Sequence, residues 1–127
     1  MGFSVMRYQN MRNELIGYLK GLSDREYQKR CWVLKNCPNG VENDELDYVV
    51  HFLFDDTQLG TNPESLIGYI LKDDVEVEAI KSICYELDSI FEKYGYDLSD
   101  DDYINLPEWT NVIKKAENAL GAIKKNA

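Results

Sequence analysis

Apolar residues recur along the whole chain at intervals of three and four residues, the spacing that brings side chains onto one face of an α-helix. The longest such pattern runs from Ile80 through Ile83 and Leu87 to Ile90 and Phe91. Stripes of this kind are typical of helices that pack around a shared core. The 127 residues suit one domain. We therefore predict an all-α protein, folded as a compact single-domain bundle of about five to six helices.

Turn residues divide the pattern into segments. Pro38, Asn39 and Gly40 end the second segment, and Gly95 suits the position after a helix C-terminus. The third segment is rich in β-branched residues and is also compatible with a short buried strand, but its acidic first turn favours a helix. The expected helices cover residues 4–20, 23–36, 44–56, 63–71 and 74–94, with a last helix from residue 107 and an acidic connection over residues 96–105.

Two helix starts carry side chains suited to capping. Ser23 and Glu26 have the spacing of a capping box, in which each side chain accepts a hydrogen bond from the other's backbone N–H. Asn43 is the expected N-cap of the third helix. Acidic residues that lead the fifth helix, and those before Tyr103, are also favourable at helix N-termini.

The net charge of −9 is unevenly distributed along the chain. Residues 1–35 carry +4 and residues 114–127 carry +3, whereas residues 36–113 carry −16. An acidic surface keeps a protein soluble, and a concentrated negative field also steers a basic partner onto it. Both interpretations stay open. On the second, the candidate partner-binding residues are Asp47, His51, Asp55, Asp56, Asp73, Asp74, Tyr96, Asp97, Asp100, Asp101, Asp102 and Tyr103. Tyr96 and Tyr103 bracket the acidic connection and are predicted to be exposed, with packing under that loop as the alternative.

Asp55 and Asp56 stand at the C-terminal end of a predicted helix, where negative charge is mildly unfavourable. This placement indicates a function other than helix capping. Asp47, His51 and Asp55 follow one another at intervals of four, so they form a polar line on one helix face. A surface ion pair is the simplest interpretation of that line, with an interface role and a metal site as alternatives. The absence of a second histidine argues against the metal.

Motifs that carry enzymatic chemistry are missing from the sequence. The eight glycines form no phosphate-binding loop, and neither a nucleophile elbow nor an HExxH motif occurs. We therefore predict that the protein is not an enzyme and has no catalytic residue, cofactor, metal or small-molecule substrate. Direct binding to nucleic acid is disfavoured, because phosphate backbones require stripes of Lys and Arg.

Cys31, Cys37 and Cys84 are odd in number and form no CxxC pair, which indicates reduced thiols in a cytosolic protein. Cys84 falls on an apolar helix face and is predicted to lie in the core. The first residues lack the apolar stretch of a secretory signal, and no apolar run has the length of a membrane span. We expect a cytoplasmic location and no contact with a membrane.

Three segments carry a family resemblance: DYVVHFLFDDT at residues 47–57, Tyr27 and Gln28 followed by Arg30 and Trp32, and LPEW at residues 106–109 followed by Val112, Ala116, Ala119 and Leu120. Together they resemble small helical bacterial proteins, some of which are immunity proteins of contact-dependent growth-inhibition systems. The resemblance covers about residues 12–123. It implies an antitoxin that forms a heterodimer with a toxin domain, often a basic nuclease, and covers its active site.

Two other functions remain as alternatives. The first is a cytosolic regulatory or adaptor protein that binds another basic protein, a class that includes nucleic-acid-mimic inhibitors. The second is an enzyme, which would require a preformed apolar pocket with convergent polar groups. A toxin gene directly upstream would favour the antitoxin.

Overall fold

The computed structural model describes residues 7–126, which are mostly helical. The elements are α1 (Gln9–Leu22), α2 (Arg25–Tyr27) with a π-helical continuation (Gln28–Val33), α3 (Leu46–His51) with a second π-helical continuation (Phe52–Asp56), a 3₁₀ turn (Pro63–Leu66), α4 (Asp74–Tyr94), α5 (Asp100–Ile104) and α6 (Trp109–Lys125). Residues 7–126 form no β-strand, only an isolated bridge between Ile67 and Leu71. The predicted all-α class is confirmed.

Helix α4 packs against α6, which also packs against α1. The apolar face predicted for α4 lies in this contact, and Ile80, Ile83 and Leu87 are fully buried. Cys84 is buried in the same core, as predicted. Burying an aliphatic side chain of this size contributes roughly 1.5–3 kcal/mol. The three-helix contact therefore supplies much of the free energy that holds the fold together.

Helix α4 has the limits expected from the sequence. At its start the Asp73 carboxylate accepts a hydrogen bond from the Glu76 backbone N–H at 2.9 Å. At its end Gly95 adopts a φ of 82°, a left-handed conformation that glycine tolerates best, and its N–H donates to the Phe91 carbonyl. Neither α4 nor any other helix within residues 7–126 is both long and apolar enough to cross a membrane.

Every predicted helix except the fifth has different limits in the structure; the second covers residues 25–33 and the third begins at residue 46. Residues 4–6 of the first predicted helix lie outside the described range. Helix α1 begins at Gln9, because the backbone before it forms hydrogen bonds with another part of the chain. The Arg7 and Tyr8 N–H groups donate to the Gly68 and Tyr69 carbonyls at 3.1 and 2.8 Å. The fourth segment forms only a 3₁₀ turn, since the residue that follows Leu66 is extended. The last helix begins at residue 109, two residues later than predicted.

The predicted capping box at Ser23 is wrong. Asp24 caps α2, because its carboxylate accepts a hydrogen bond from the Tyr27 N–H at 3.1 Å. The Ser23 hydroxyl instead donates to the Lys20 carbonyl at 3.0 Å. Since Ser23 still belongs to the end of α1, its side chain turns back toward that helix and not forward to α2.

The prediction of reduced thiols is wrong for Cys31 and Cys37, which form a disulfide. Cys31 lies in the first π-helical continuation, after which the chain reverses through Lys35 at a left-handed φ of 58°. The reversal brings the two cysteine Cα atoms to 4.2 Å, although six positions separate them in sequence. Cys84 is free. Its burial, and to a smaller extent the negative charge of the nearby Asp88 carboxylate, raises the pKa of its thiol to about 12.

Replacement of Cys37 by serine is expected to lower the free energy of unfolding by about 2 kcal/mol, because the unfolded chain has more entropy without the cross-link than with it. Urea unfolding of both proteins measures the difference. Addition of dithiothreitol should bring the wild type to the variant's midpoint and leave the variant unchanged. Alkylation of the non-reduced, denatured wild type should label Cys84 alone. Labelling of all three cysteines would contradict the disulfide.

Candidate interaction surface

Helices α3 and α5 begin side by side. The Asp100 carboxylate accepts a hydrogen bond at 3.0 Å from the N–H of Leu46, the first residue of α3. Asp100 therefore caps α3, and the predicted cap Asn43 is wrong, since its amide donates to the Tyr48 hydroxyl at 2.8 Å. The contact brings together two acidic segments, which we name the acidic junction: Asp44, Glu45 and Asp47 around the start of α3, and Asp97, Asp100, Asp101 and Asp102 around the start of α5.

Asp100 is half-buried at the centre of the acidic junction. Burial and the negative charges of Asp47 and Asp44 raise its pKa, and the Leu46 N–H and the Lys35 ammonium only partly oppose this. A carboxyl whose charged form is disfavoured by its surroundings is a common feature of functional sites. A cation brought to this position would relieve the mutual repulsion of the carboxylates.

Lys35 is the cation beside the acidic junction. Its ammonium lies 3.8 Å from the Glu45 carboxylate, and both side chains are partly exposed. They share with Asp101 a shallow cavity of about 280 Å³. One lysine cannot balance seven carboxylates, so the junction keeps a negative potential toward solvent.

The sequence interpretation missed two residues of this surface, Glu45 and Asp44, and Asp44 is the one with the larger structural role. Its carboxylate accepts hydrogen bonds from the Tyr27 hydroxyl at 2.6 Å, from the Trp32 indole N–H at 3.1 Å and from the Glu45 N–H at 2.9 Å. Burial and the hydrogen bond to Asp44 raise the pKa of the Tyr27 hydroxyl. Asp44 thus anchors the segment before α3 to α2 and its continuation. Its place in the acidic run at residues 42–47 was the signal available in the sequence.

The two predicted tyrosines have opposite environments. Tyr96 is 74% exposed, as predicted, and its ring stacks on Phe91 at 5.0 Å beside the acidic junction. The prediction for Tyr103 is wrong, because it is 3% exposed. Its ring packs edge-on against Phe91 and its hydroxyl donates to the Gly95 carbonyl at 2.6 Å. Tyr96 can therefore contact a partner, whereas Tyr103 holds α5 against the end of α4.

The polar line on α3 has the geometry of a surface ion pair. The His51 Nδ1 and Asp55 Oδ2 atoms are 2.5 Å apart, and the side chains are 61% and 60% exposed. Asp47 lies in the first turn of the same helix and belongs to the acidic junction. Asp56 follows this pair and lines a separate cavity beside Tyr69.

Asp73 and Asp74 lie far from the acidic junction. They stand at the start of α4, whose 21 residues extend about 30 Å, and the junction adjoins its other end. The Asp73 carboxylate is occupied, since it caps α4 and accepts a hydrogen bond from the Asn126 amide at 3.0 Å. The twelve candidate residues therefore divide among three places, and Asp73 stabilises the fold.

The exposed groups of the acidic junction are carboxylate acceptors beside an aromatic ring, which suit the ammonium and guanidinium groups of a protein partner. Within residues 7–126 no group of three or more His, Cys, Asp or Glu side chains is arranged to hold a metal ion.

Comparison with known proteins identifies a family. A family described as a domain of unknown function (DUF7945) matches residues 6–127, nearly the whole chain. No curated protein and no solved structure matches the chain. The chain belongs to the DUF7945 family, a domain of unknown function.

Proposed function

We propose that the protein binds a basic protein partner through the acidic junction and Tyr96, without catalysing a reaction. The observation that carries the proposal is the convergence of two acidic segments on a half-buried, destabilised Asp100 carboxyl. Such clustering raises the rate of association with a positively charged surface. The stacked Tyr96 ring adds a large, partly immobilised apolar contact of the kind that dominates interface energies.

The partner that fits this surface best is a toxin domain, as the resemblance to immunity proteins implies. A nuclease holds the phosphates of its substrate in a positively charged cleft. Carboxylates spaced along a rigid helical surface can pair with the same basic groups in place of those phosphates. The protein would then act as an antitoxin that covers the active site. A regulatory protein that binds a different basic protein would use the same surface, and gene neighbourhood distinguishes the two.

Charge reversal at two exposed positions, Asp97→Lys and Asp102→Lys together, is expected to slow association with the toxin domain encoded upstream by about tenfold at low ionic strength. The difference should shrink at high salt, since salt screens exposed charges. Stopped-flow or surface-plasmon measurements of the association rate constant provide the test. Asp100 is left intact, because its carboxylate caps α3.

The matched control is Glu117→Lys with Glu86→Lys, which changes the net charge equally on α6 and α4. If both double variants slow association to the same extent, net charge alone explains the effect and the acidic junction is not the binding surface. If the upstream gene encodes no toxin and no heterodimer forms, the antitoxin proposal fails and the regulatory alternative gains support.

A further inference from the structure

An open cavity of about 390 Å³ lies between the start of α1, the end of the second π-helical continuation and the loop before α4. Its volume lies within the range of ligand-binding pockets. Its apolar and aromatic lining comprises Tyr8, Met11, Leu66, Tyr69 and Ile70. Its polar lining comprises Asp56, Thr57, Gln58 and Ser65. The cavity is separate from the acidic junction and shares none of its residues.

Asp56 supplies a negative charge to this cavity. Within residues 7–126 no cation pairs with its carboxylate, whereas the neighbouring Asp55 is held by His51. Burial raises the pKa of the nearby Tyr18, and the negative charges of Glu14, Asp44 and Asp56 add to this increase. Asp56 also ends a helical segment, where a negative charge is unfavourable. Asp56 is exposed, so its carboxylate is open to a cation that a partner brings.

Two tyrosines form a preorganised aromatic wall. The Tyr8 and Tyr69 rings lie 5.5 Å apart, and the Tyr8 N–H donates to the Tyr69 carbonyl at 2.8 Å, which fixes their relative position. The Arg7 guanidinium carbon lies 5.8 Å from the Tyr69 ring centroid, so this ring already accepts a guanidinium group within the chain.

The Thr57 and Ser65 hydroxyl groups of the cavity are committed to the protein itself. Thr57 donates to the Phe52 carbonyl at 2.7 Å, and Ser65 is within 2.7 Å of the Asn62 carbonyl and 2.9 Å of the Gln58 side-chain oxygen. The protons of these two hydroxyls are therefore not available to a ligand, and Asp56 adds a carboxylate acceptor beside the two tyrosine rings. That combination selects a planar cation with several N–H donors and an apolar stem.

We propose that this cavity binds an arginine side chain of the basic protein partner, with the guanidinium against Tyr69 and hydrogen-bonded to Asp56. The methylene stem would pack on the apolar lining around Met11 and Leu66. Arginine suits the site better than lysine, because its planar group both stacks on a ring and pairs with a carboxylate. This subsite rests on the proposed function, since it assigns part of the same partner's surface.

The probe for the test is n-propylguanidinium, with neutral n-propylurea as its isostere. Titration of the ¹⁵N-labelled full-length protein should shift the amide signals of Thr57, Ser65 and Ile70 in a saturable manner, with millimolar affinity. Propylurea should bind at least about fivefold more weakly, because it lacks the charge. Propylammonium should also bind more weakly than propylguanidinium, since it cannot stack or form a paired hydrogen bond.

Paired variants separate the cavity from general electrostatic attraction. Asp56→Asn should weaken propylguanidinium binding about fivefold, whereas Asp55→Asn, which removes the same charge outside the cavity, should leave it nearly unchanged. Tyr69→Ala should weaken binding about threefold, whereas Tyr85→Ala on the exposed face of α4 should have no effect.

Equal weakening by Asp56→Asn and Asp55→Asn, or equal binding of propylguanidinium and propylurea, would overturn the proposed subsite. Either result leaves the acidic junction untouched, because its test is the association rate of the Asp97→Lys, Asp102→Lys variant. Conversely, the Asp97→Lys, Asp102→Lys variant could associate with the partner at the normal rate while propylguanidinium still binds selectively. That result would contradict the proposed function and leave the guanidinium site supported.

Discussion

Replacement of Arg12 by methionine is expected to lower the free energy of unfolding by about 3–5 kcal/mol. Arg12 is 3% exposed and Glu76 is fully buried. The guanidinium donates two hydrogen bonds to the Glu76 carboxylate, at 2.7 and 2.8 Å, and one to the Ile70 carbonyl at 2.8 Å. The carboxylate also accepts from the Lys72 N–H and the Asn126 amide. Methionine keeps the apolar packing but leaves a buried charge without its cation.

Urea unfolding of three variants tests this expectation. Lys81→Met breaks an ion pair of similar length with Glu64, but both partners are exposed, so the midpoint should change little. Adding Glu76→Gln to Arg12→Met should recover part of the lost stability, because the uncompensated charge is removed. The expectation is wrong if Arg12→Met and Lys81→Met unfold at the same urea concentration.

The same ion pair predicts a pH dependence. Burial raises the pKa of Glu76, but hydrogen bonds from Arg12, Asn126 and the Lys72 N–H outweigh it and hold the pKa below its usual 4.5. Since the native pKa lies below the unfolded one, the contribution is complete above pH 4.5 and is lost as the pH falls through the native pKa. In Arg12→Met, protonation of Glu76 removes the unpaired charge. The stabilities of wild type and variant should therefore converge on acidification, and a constant difference in a urea series would contradict the assignment.

Replacement of Trp109 by alanine is expected to destabilise the fold by about 3–5 kcal/mol. Trp109 is fully buried, and its ring contacts Trp32 edge-on at 6.2 Å between centroids. Its indole N–H donates to the Gln28 side-chain oxygen at 2.8 Å. The buried Gln28 amide donates in turn to the Gly21 and Leu22 carbonyls at the end of α1. Alanine would leave both a cavity and an unsatisfied Gln28 oxygen.

Trp109→Phe separates these two effects. Phenylalanine fills most of the volume but cannot donate, so we expect a loss of about 1–3 kcal/mol from the unpaired oxygen of Gln28. Thermal and urea unfolding give the values, and Tyr85→Phe provides a control at a position 68% exposed. A Trp109→Phe protein as stable as the wild type would show that the hydrogen-bond chain contributes nothing.

Helix α4 was predictable because local signals act together there. Its apolar residues repeat at helical spacing, Asp73 caps it within four residues, and Gly95 ends it. Such signals depend on side chains close in sequence, so they can be interpreted without a tertiary structure. The buried position of Cys84 followed from the same pattern.

The candidate surface was predictable only in part. The sequence placed Asp97 and Asp100 in one acidic cluster, but it placed Asp47 in a separate segment, on a polar line with His51 and Asp55. Their meeting depends on the hydrogen bond from Leu46 to Asp100, which spans 54 positions. The prediction that Tyr103 is exposed was wrong for a related reason. The burial of Tyr103 depends on how α5 packs against α4 and not on residues close to it in sequence.

The sequence by itself determined the helical class, the core face of α4 and the acidic middle of the chain. Each depends on periodicity, composition or residues within one turn. Only the tertiary structure decided that Arg12 pairs with Glu76, that Cys31 bonds Cys37, and where the carboxylates gather. A buried ion pair or a distant cap requires two backbones to meet, and that meeting is set by the packing of whole helices.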